Sequence, residues 1–226
     1  MARVTLSNLR AAVHYLTRRD ADLGRIARQD GQPPLWSRKP GLESLIKIVM
    51  EQQVSQVSGR AVYRRLASGV RPLTAARLLE VGDLGIRRLG ITRQKSACCL
   101  AIARALVDGT LSFRALGQMD DESALRTLLV IKGVGPWTAR IYLLMAMRRP
   151  DVWPRGDVAL RTSIRVVKGL RHPPSEDVME ALAERWRPFR SVAARLLWNH
   201  YLRNGRARLG QSLARPTGRT ERLRPA

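Results

Sequence analysis

Cysteine is nearly missing from this 226-residue chain: there are two, Cys98 and Cys99, side by side. Neighbours on a helix point about 100° apart, so these two do not bridge each other. Two thiols cannot ligate an iron–sulfur cluster, which takes four, and no zinc-ligand spacing accompanies them. His14, His172 and His200 are scattered along the chain and form no metal pattern. The thiols read as small packing residues of a reduced compartment. Long apolar runs are also missing. The longest, 141–147, falls far short of the roughly 20 residues that cross a bilayer. The opening residues Met1-Ala2-Arg3-Val4-Thr5 carry no apolar signal core, which points to the cytoplasm. Acidic residues are scarce: 18 against 41 Lys and Arg, a formal charge of +23. Such an excess favours a polyanion, because each neutralised phosphate releases condensed counterions. Solubility alone is the plainer reading. A membrane surface fits poorly, since no basic amphipathic helix with a bulky apolar face stands out.

Sustained period-two alternation is absent as well, and helical spacing recurs in its place. Leu42, Leu45, Ile46, Val49 and Met50 mark one helix after Pro40-Gly41. Val54, Val57, Ala61 and Val62 mark the next, with Ser55 as its cap. Thr74 caps a short helix expected to end near Gly82. Ala97 to Leu106 form a longer one closed by Gly109, and Asp120-Asp121 open a helix running through Ile131. Pro136 suits the first position of the following helix, where its missing N–H costs nothing. Helices near 158–169, 175–186 and 189–203 complete an all-α chain without internal repeats. From Arg203 onward come seven arginines, one Glu, three glycines and two prolines. That composition predicts a mobile basic tail over 206–226.

Two segments carry chemistry. In Ile131-Lys132-Gly133-Val134-Gly135-Pro136-Trp137-Thr138-Ala139, two glycines separate helices. The free N–H groups and dipole of the second helix suit a phosphate oxygen. Leu128, Ile131, Val134, Thr138 and Ala139 would pin the turn against both helices. An ordinary helix–turn also explains Gly-x-Gly. In Trp153-Pro154-Arg155-Gly156-Asp157-Val158-Ala159-Leu160, Asp157 stands at a helix start. It is an N-cap by residue type, and it could equally stabilise positive charge developing on a sugar or orient a water. The two roles are compatible. Asp120, Asp121 and Asp151 read as caps or surface acids.

In these segments the chain resembles the helix-hairpin-helix (HhH-GPD) DNA glycosylases, in their 3-methyladenine DNA glycosylase II (AlkA-like) branch. The resemblance spans roughly 40–203. It rests on Glu51-Gln52-Gln53-Val54-Ser55, on Leu89-Gly90-Ile91 with Lys95 and Ala97, and on the hairpin with Trp137-Thr138-Ala139. Gly156-Asp157-Val158-Ala159-Leu160-Arg161 and Arg185-Trp186-Arg187-Pro188-Phe189-Arg190-Ser191 complete it. It implies a two-lobed helical fold with the active site in the cleft. The chain departs from longer members in that residues 1–40 read as helices, so no N-terminal β-rich domain is expected. One lobe would span about 42–148, the other about 1–41 plus 149–205, with 206–226 as the tail. It further implies flipping of a damaged base out of duplex DNA and hydrolysis of its N-glycosidic bond. Asp157 would be the catalytic carboxylate, Gln53 the wedge, and Trp137, Trp198 and Tyr142 the base pocket. Gly133, Val134, Gly135, Trp137 and Thr138 would form the phosphate-binding hairpin.

Members that also nick the strand carry a Schiff-base lysine where Trp137 stands, so the resemblance implies a monofunctional enzyme that leaves an abasic site. Its substrates would be alkylated purines of the 3-methyladenine and 7-methylguanine type. A mismatch or oxidised-base glycosylase and a non-catalytic DNA-binding protein are the alternatives. The resemblance calls for no metal or catalytic cofactor and leaves room for a structural monovalent cation at the carbonyls of Leu129, Ile131 and Gly133. It also implies a nucleoid-associated monomer. Two departures bear on substrate range: Ile141 stands where some members have a pocket tyrosine, with Tyr142 shifted by one, and Lys132 replaces a frequent proline.

Overall fold

Side chains that compete for backbone hydrogen bonds begin most of the helices, as expected where Ser, Thr and Asp meet apolar periodicity. The structure, a computed structural model, describes residues 3–204. Twelve helices and no strand are found among them. α1 (Leu6–Arg19) starts at a capping box between Thr5 and Asn8. α2 (Ala21–Asp30) starts at Asp20. α3 (Leu42–Glu51) follows Gly41, and α4 (Gln56–Gly69) is capped by Ser55. α5 (Ala75–Arg88) is capped by Thr74 and is broken at Gly82, where the sequence predicts a helix end. That glycine, at a non-helical φ of +66°, closes the first segment, and a second helical segment begins beyond it. Glycine absorbs the positive φ that another residue would resist.

α6 (Arg93–Val107) and α7 (Phe113–Gln118) come next. The six-residue α7, capped by Ser112, was not legible from periodicity, because one turn and a half is too short to show it. α8 (Asp121–Leu129) is capped by Asp120. It ends two residues short of Ile131, which belongs to the hairpin instead. α9 (Pro136–Met145) has Pro136 in its first turn. α10 (Val158–Val167), α11 (Glu176–Glu184) and α12 (Arg190–Arg203) close the described fold. The tail at 206–226 lies outside the described residues.

The helices pack in two groups. α3 to α9 form one, built on α5 against α6, α3 against α4 and α8 against α9. α1, α2 and α10 to α12 form the other, with α12 at its centre. α12 is buried from Ser191 to His200 because both groups cover it. Its buried charge, Arg195, is fully covered and donates to three carbonyls: Leu35, Ser191 and Leu144 (2.9–3.0 Å). Burial pushes its pKa down to about 10, which still leaves it charged at neutral pH. The bond to Leu144 reaches α9, so this guanidinium stitches one helix group to the other. Cys98 and Cys99 are both free and buried, and His200 is buried against Asp30 at 2.6 Å.

Arg195→Met should lower stability by roughly 3 kcal/mol or more, because buried carbonyls lose their donors. Chemical denaturation measures this. A midpoint within error of the parent would contradict the role assigned to the guanidinium.

Candidate active site

Asp157 gains its position from a loop fastened at both ends. Arg190, in the first turn of α12, donates through Nε to Asp151 Oδ1 at 3.0 Å. The Ser191 hydroxyl bonds both the N–H and the carbonyl of Val152 (3.0 and 2.9 Å). At the other end Gly156, at φ +82°, gives its N–H to Glu176 Oε2 at 2.9 Å, and Arg161 pairs with the same carboxylate. Asp157 then caps α10, its Oδ1 accepting from Leu160 N at 2.9 Å. The capping role inferred from residue type is real.

It is not the only role. Oδ1 also accepts from Trp198 Nε1 at 3.1 Å, and Oδ2 accepts from Trp137 Nε1 at 2.9 Å. Trp198 comes from α12, and Trp137 from the first turn of α9 in the other helix group. The carboxylate, 8% exposed, therefore sits where the two groups meet. Two carboxylate oxygens offer about four acceptor positions. Three are filled, and the open one is on Oδ2, beside the partly exposed Trp137. That geometry lets the group face a developing cation or hold one water.

The hairpin separates two jobs that its glycines share in sequence. Gly133 is at φ +89°, and a Cβ there would stand 2.7 Å from Cys98 Cβ. Only glycine lets the turn close onto α6. Gly135 has an ordinary φ of −83°, and a Cβ there would meet nothing within 4 Å. Its bare side opens outward, next to a helix N-terminus that no side chain caps. That combination of free N–H groups, dipole and open approach fits an anion. Ile131, Val134 and Thr138 are buried and anchor the turn.

Gln53 projects from the α3–α4 connection in a left-handed conformation, φ +54°, and is exposed. The residue before it is one that sequence reasoning missed. Gln52 Nε2 donates to Thr138 Oγ1 at 2.6 Å and to the Gly133 carbonyl at 3.2 Å. It straps the Gln53 loop to the hairpin. Lys95 reinforces the join, its Nζ donating to the Met50 carbonyl at the end of α3 (2.8 Å). Lys95 and Cys98 lie three apart on α6, on one face, so a single helix seats both loop and hairpin. Nothing local in the sequence announces a pairing between positions 52 and 138.

Tyr142 is corrected. It is fully buried, its hydroxyl accepts from Gly41 N at 2.9 Å, and its ring lies against Phe113. One step along a helix turns a side chain by about 100°, which carries Tyr142 into the core of its own lobe. Trp36 is the aromatic that reaches the site: it meets Trp198 edge-on at 6.5 Å. Trp153 and Trp186 pack together in the core.

The profile of the HhH-GPD superfamily of base excision DNA repair proteins matches residues 46–188. This chain belongs to that superfamily. A DNA-3-methyladenine glycosylase of Bacillus subtilis is 30% identical over 54% of this chain and 40% of its own length. DNA-3-methyladenine glycosylase 1 of Schizosaccharomyces pombe is 27% identical over 71% and 72%. A solved structure of the Schizosaccharomyces pombe 3-methyladenine DNA glycosylase in complex with abasic DNA superposes with a TM-score of 0.78. It is 26% identical and matches over 83% of this chain and 95% of that one. The chain spans about two fifths of the length of the Bacillus relatives it matches. The superfamily profile takes in the Gln52 strap, the hairpin and Asp157 together.

Gln52→Ala should free the hairpin locally. Hydrogen exchange at the amides of 133–138 should rise roughly threefold to tenfold, the equivalent of about 1 kcal/mol for the lost bonds. Unchanged exchange there would mean that Gln52 does not hold the two segments together.

Proposed function

We propose that this HhH-GPD protein is a monofunctional DNA glycosylase that removes alkylated purines from double-stranded DNA and leaves an abasic site. The observation that carries the reading is the Asp157 carboxylate, shielded, held by two indole N–H groups, and open at one acceptor position of Oδ2. The similarity to 3-methyladenine DNA glycosylases supports the substrate class.

The hairpin N–H groups would grip a phosphate and set register, since phosphate contacts carry no base information. Gln53 would fill the gap left by the flipped nucleotide, and flipping costs least at a damaged, poorly paired base. An electron-poor alkylated base is cationic and stacks favourably on an indole face, which Trp137 offers and Trp198 extends. As the C1′–N bond breaks, the base leaves with the bonding pair and the sugar becomes oxocarbenium-like. Asp157 stabilises that charge and orients a water. The water oxygen bonds to C1′ and its proton passes through the carboxylate to solvent. No lysine stands at position 137, so no Schiff base forms there and the strand stays intact.

A structural monovalent cation belongs to the same proposal. The carbonyls of Ile131 and Gly133 already accept from Val134 N and Gln52 Nε2. Each carbonyl oxygen keeps a second lone pair. With Leu129, these hard oxygens suit such an ion and not a transition metal. When bound it would add positive charge at the phosphate grip.

Asp157→Asn should abolish base release from methylated duplex DNA and leave duplex binding largely intact. Substitution puts an amide nitrogen where one oxygen accepts an indole N–H. Release at near the parent rate would sink the assignment. Incubation of the parent with lesion DNA and borohydride should trap no protein–DNA adduct, and strand breaks should arise only after alkali. A trapped adduct would show lyase chemistry.

A further inference from the structure

We propose a second DNA phosphate site, in the groove between α3, α4 and residues 37–39, beside the Gln53 loop. This rests on the duplex-DNA reading above. The groove has a volume of about 580 Å³ and is lined by Arg38, Lys39, Lys47 and Arg60 against the carboxylates Glu43 and Glu51. Both carboxylates are engaged within the protein. Glu51 accepts from Arg38 Nη2 on both oxygens (2.8 and 3.0 Å). Glu43 Oε1 accepts from Lys47 at 2.6 Å and from the Tyr63 hydroxyl at 3.0 Å, and those two bonds hold its carboxyl below the usual range.

Positive donors are left over. Lys39 and Arg60 are exposed, and their side chains make no hydrogen bond or ion pair among the described residues. Arg38 Nη1 is buried and lacks an acceptor. A buried guanidinium N–H without a partner is costly, and a phosphate oxygen is among its best acceptors. Three unused cationic donors in one groove therefore point to a phosphodiester.

Its location ties the groove to the wedge. Gly59 packs so closely that a Cβ there would stand 2.9 Å from Glu51 Cα. Arg60 therefore lies beside the end of α3, two residues before Gln53. Val54 and Val57 project from the same loop and the first turn of α4, 43% and 72% exposed. With Gln53 in the base stack, the backbone next to the insertion passes the mouth of this groove. Hairpin and groove would then hold phosphates on either side of the Gln52 strap.

The test is the salt dependence of binding to undamaged duplex by the full chain. Losing one phosphate contact lowers the magnitude of the log K against log salt slope by about 0.9. Arg60→Ala should show that drop. Arg104→Ala, an exposed arginine at the end of α6 far from Lys95, should not. Duplexes carrying one uncharged methylphosphonate, scanned across both strands, should contain a position at which Arg60→Ala has no further effect. An unchanged slope, an equal drop with Arg104→Ala, or additivity at every methylphosphonate position would overturn the site. Failure of the parent chain to bind duplex DNA would remove the functional reading itself. Normal parent binding with a silent Arg60 removes the groove alone.

Discussion

One carboxylate holds the site together. Asp157 ends a loop, starts α10, and takes an indole N–H from each helix group. Remove the carboxylate and a helix N-terminus and two indole N–H donors lose their acceptor at once. The same bonds that order the carboxylate also draw α9 and α12 together over it. Positioning and architecture are therefore a single problem, and the loop fastenings at Asp151, Val152 and Gly156 serve both.

The hairpin and the Gln53 loop are held in the same economical way. α6 has no reactive group pointed at a substrate, yet Cys98 sets how closely the hairpin approaches and Lys95 caps the end of α3. A cation at a helix C-terminus also complements its dipole. Gln52 then closes the triangle between α3, the hairpin and Thr138. Motion of the Gln53 loop and motion of the hairpin become coupled through two hydrogen bonds.

Much of this was legible in the residues. Ser55, Thr74, Asp120 and Asp157 cap helices as their type and place predict, because capping depends on residues within one turn. Gly133 needed glycine, and the sequence pointed to it. Gly82 ends a helical segment as its residue type predicts. Tyr142 as a pocket wall was misread because it turns on orientation, a rotation of about 100°. Trp36, Gln52 and Glu176 escaped notice because their partners lie far along the chain.

Sequence alone determined the helical class, the starts of the helices, the excess positive charge of +23, and the chemical kinds available at positions 53, 137 and 157. These follow from local hydrogen bonding, periodicity and net charge, which need no knowledge of distant neighbours. Tertiary structure decided which of those kinds meet. It put two indoles on Asp157, closed the turn of Gly133 against Cys98, withdrew Tyr142 into the core, and left Arg38, Lys39 and Arg60 facing one groove. Such outcomes depend on how helices pack, and contacts between residues tens of positions apart are written in no local pattern.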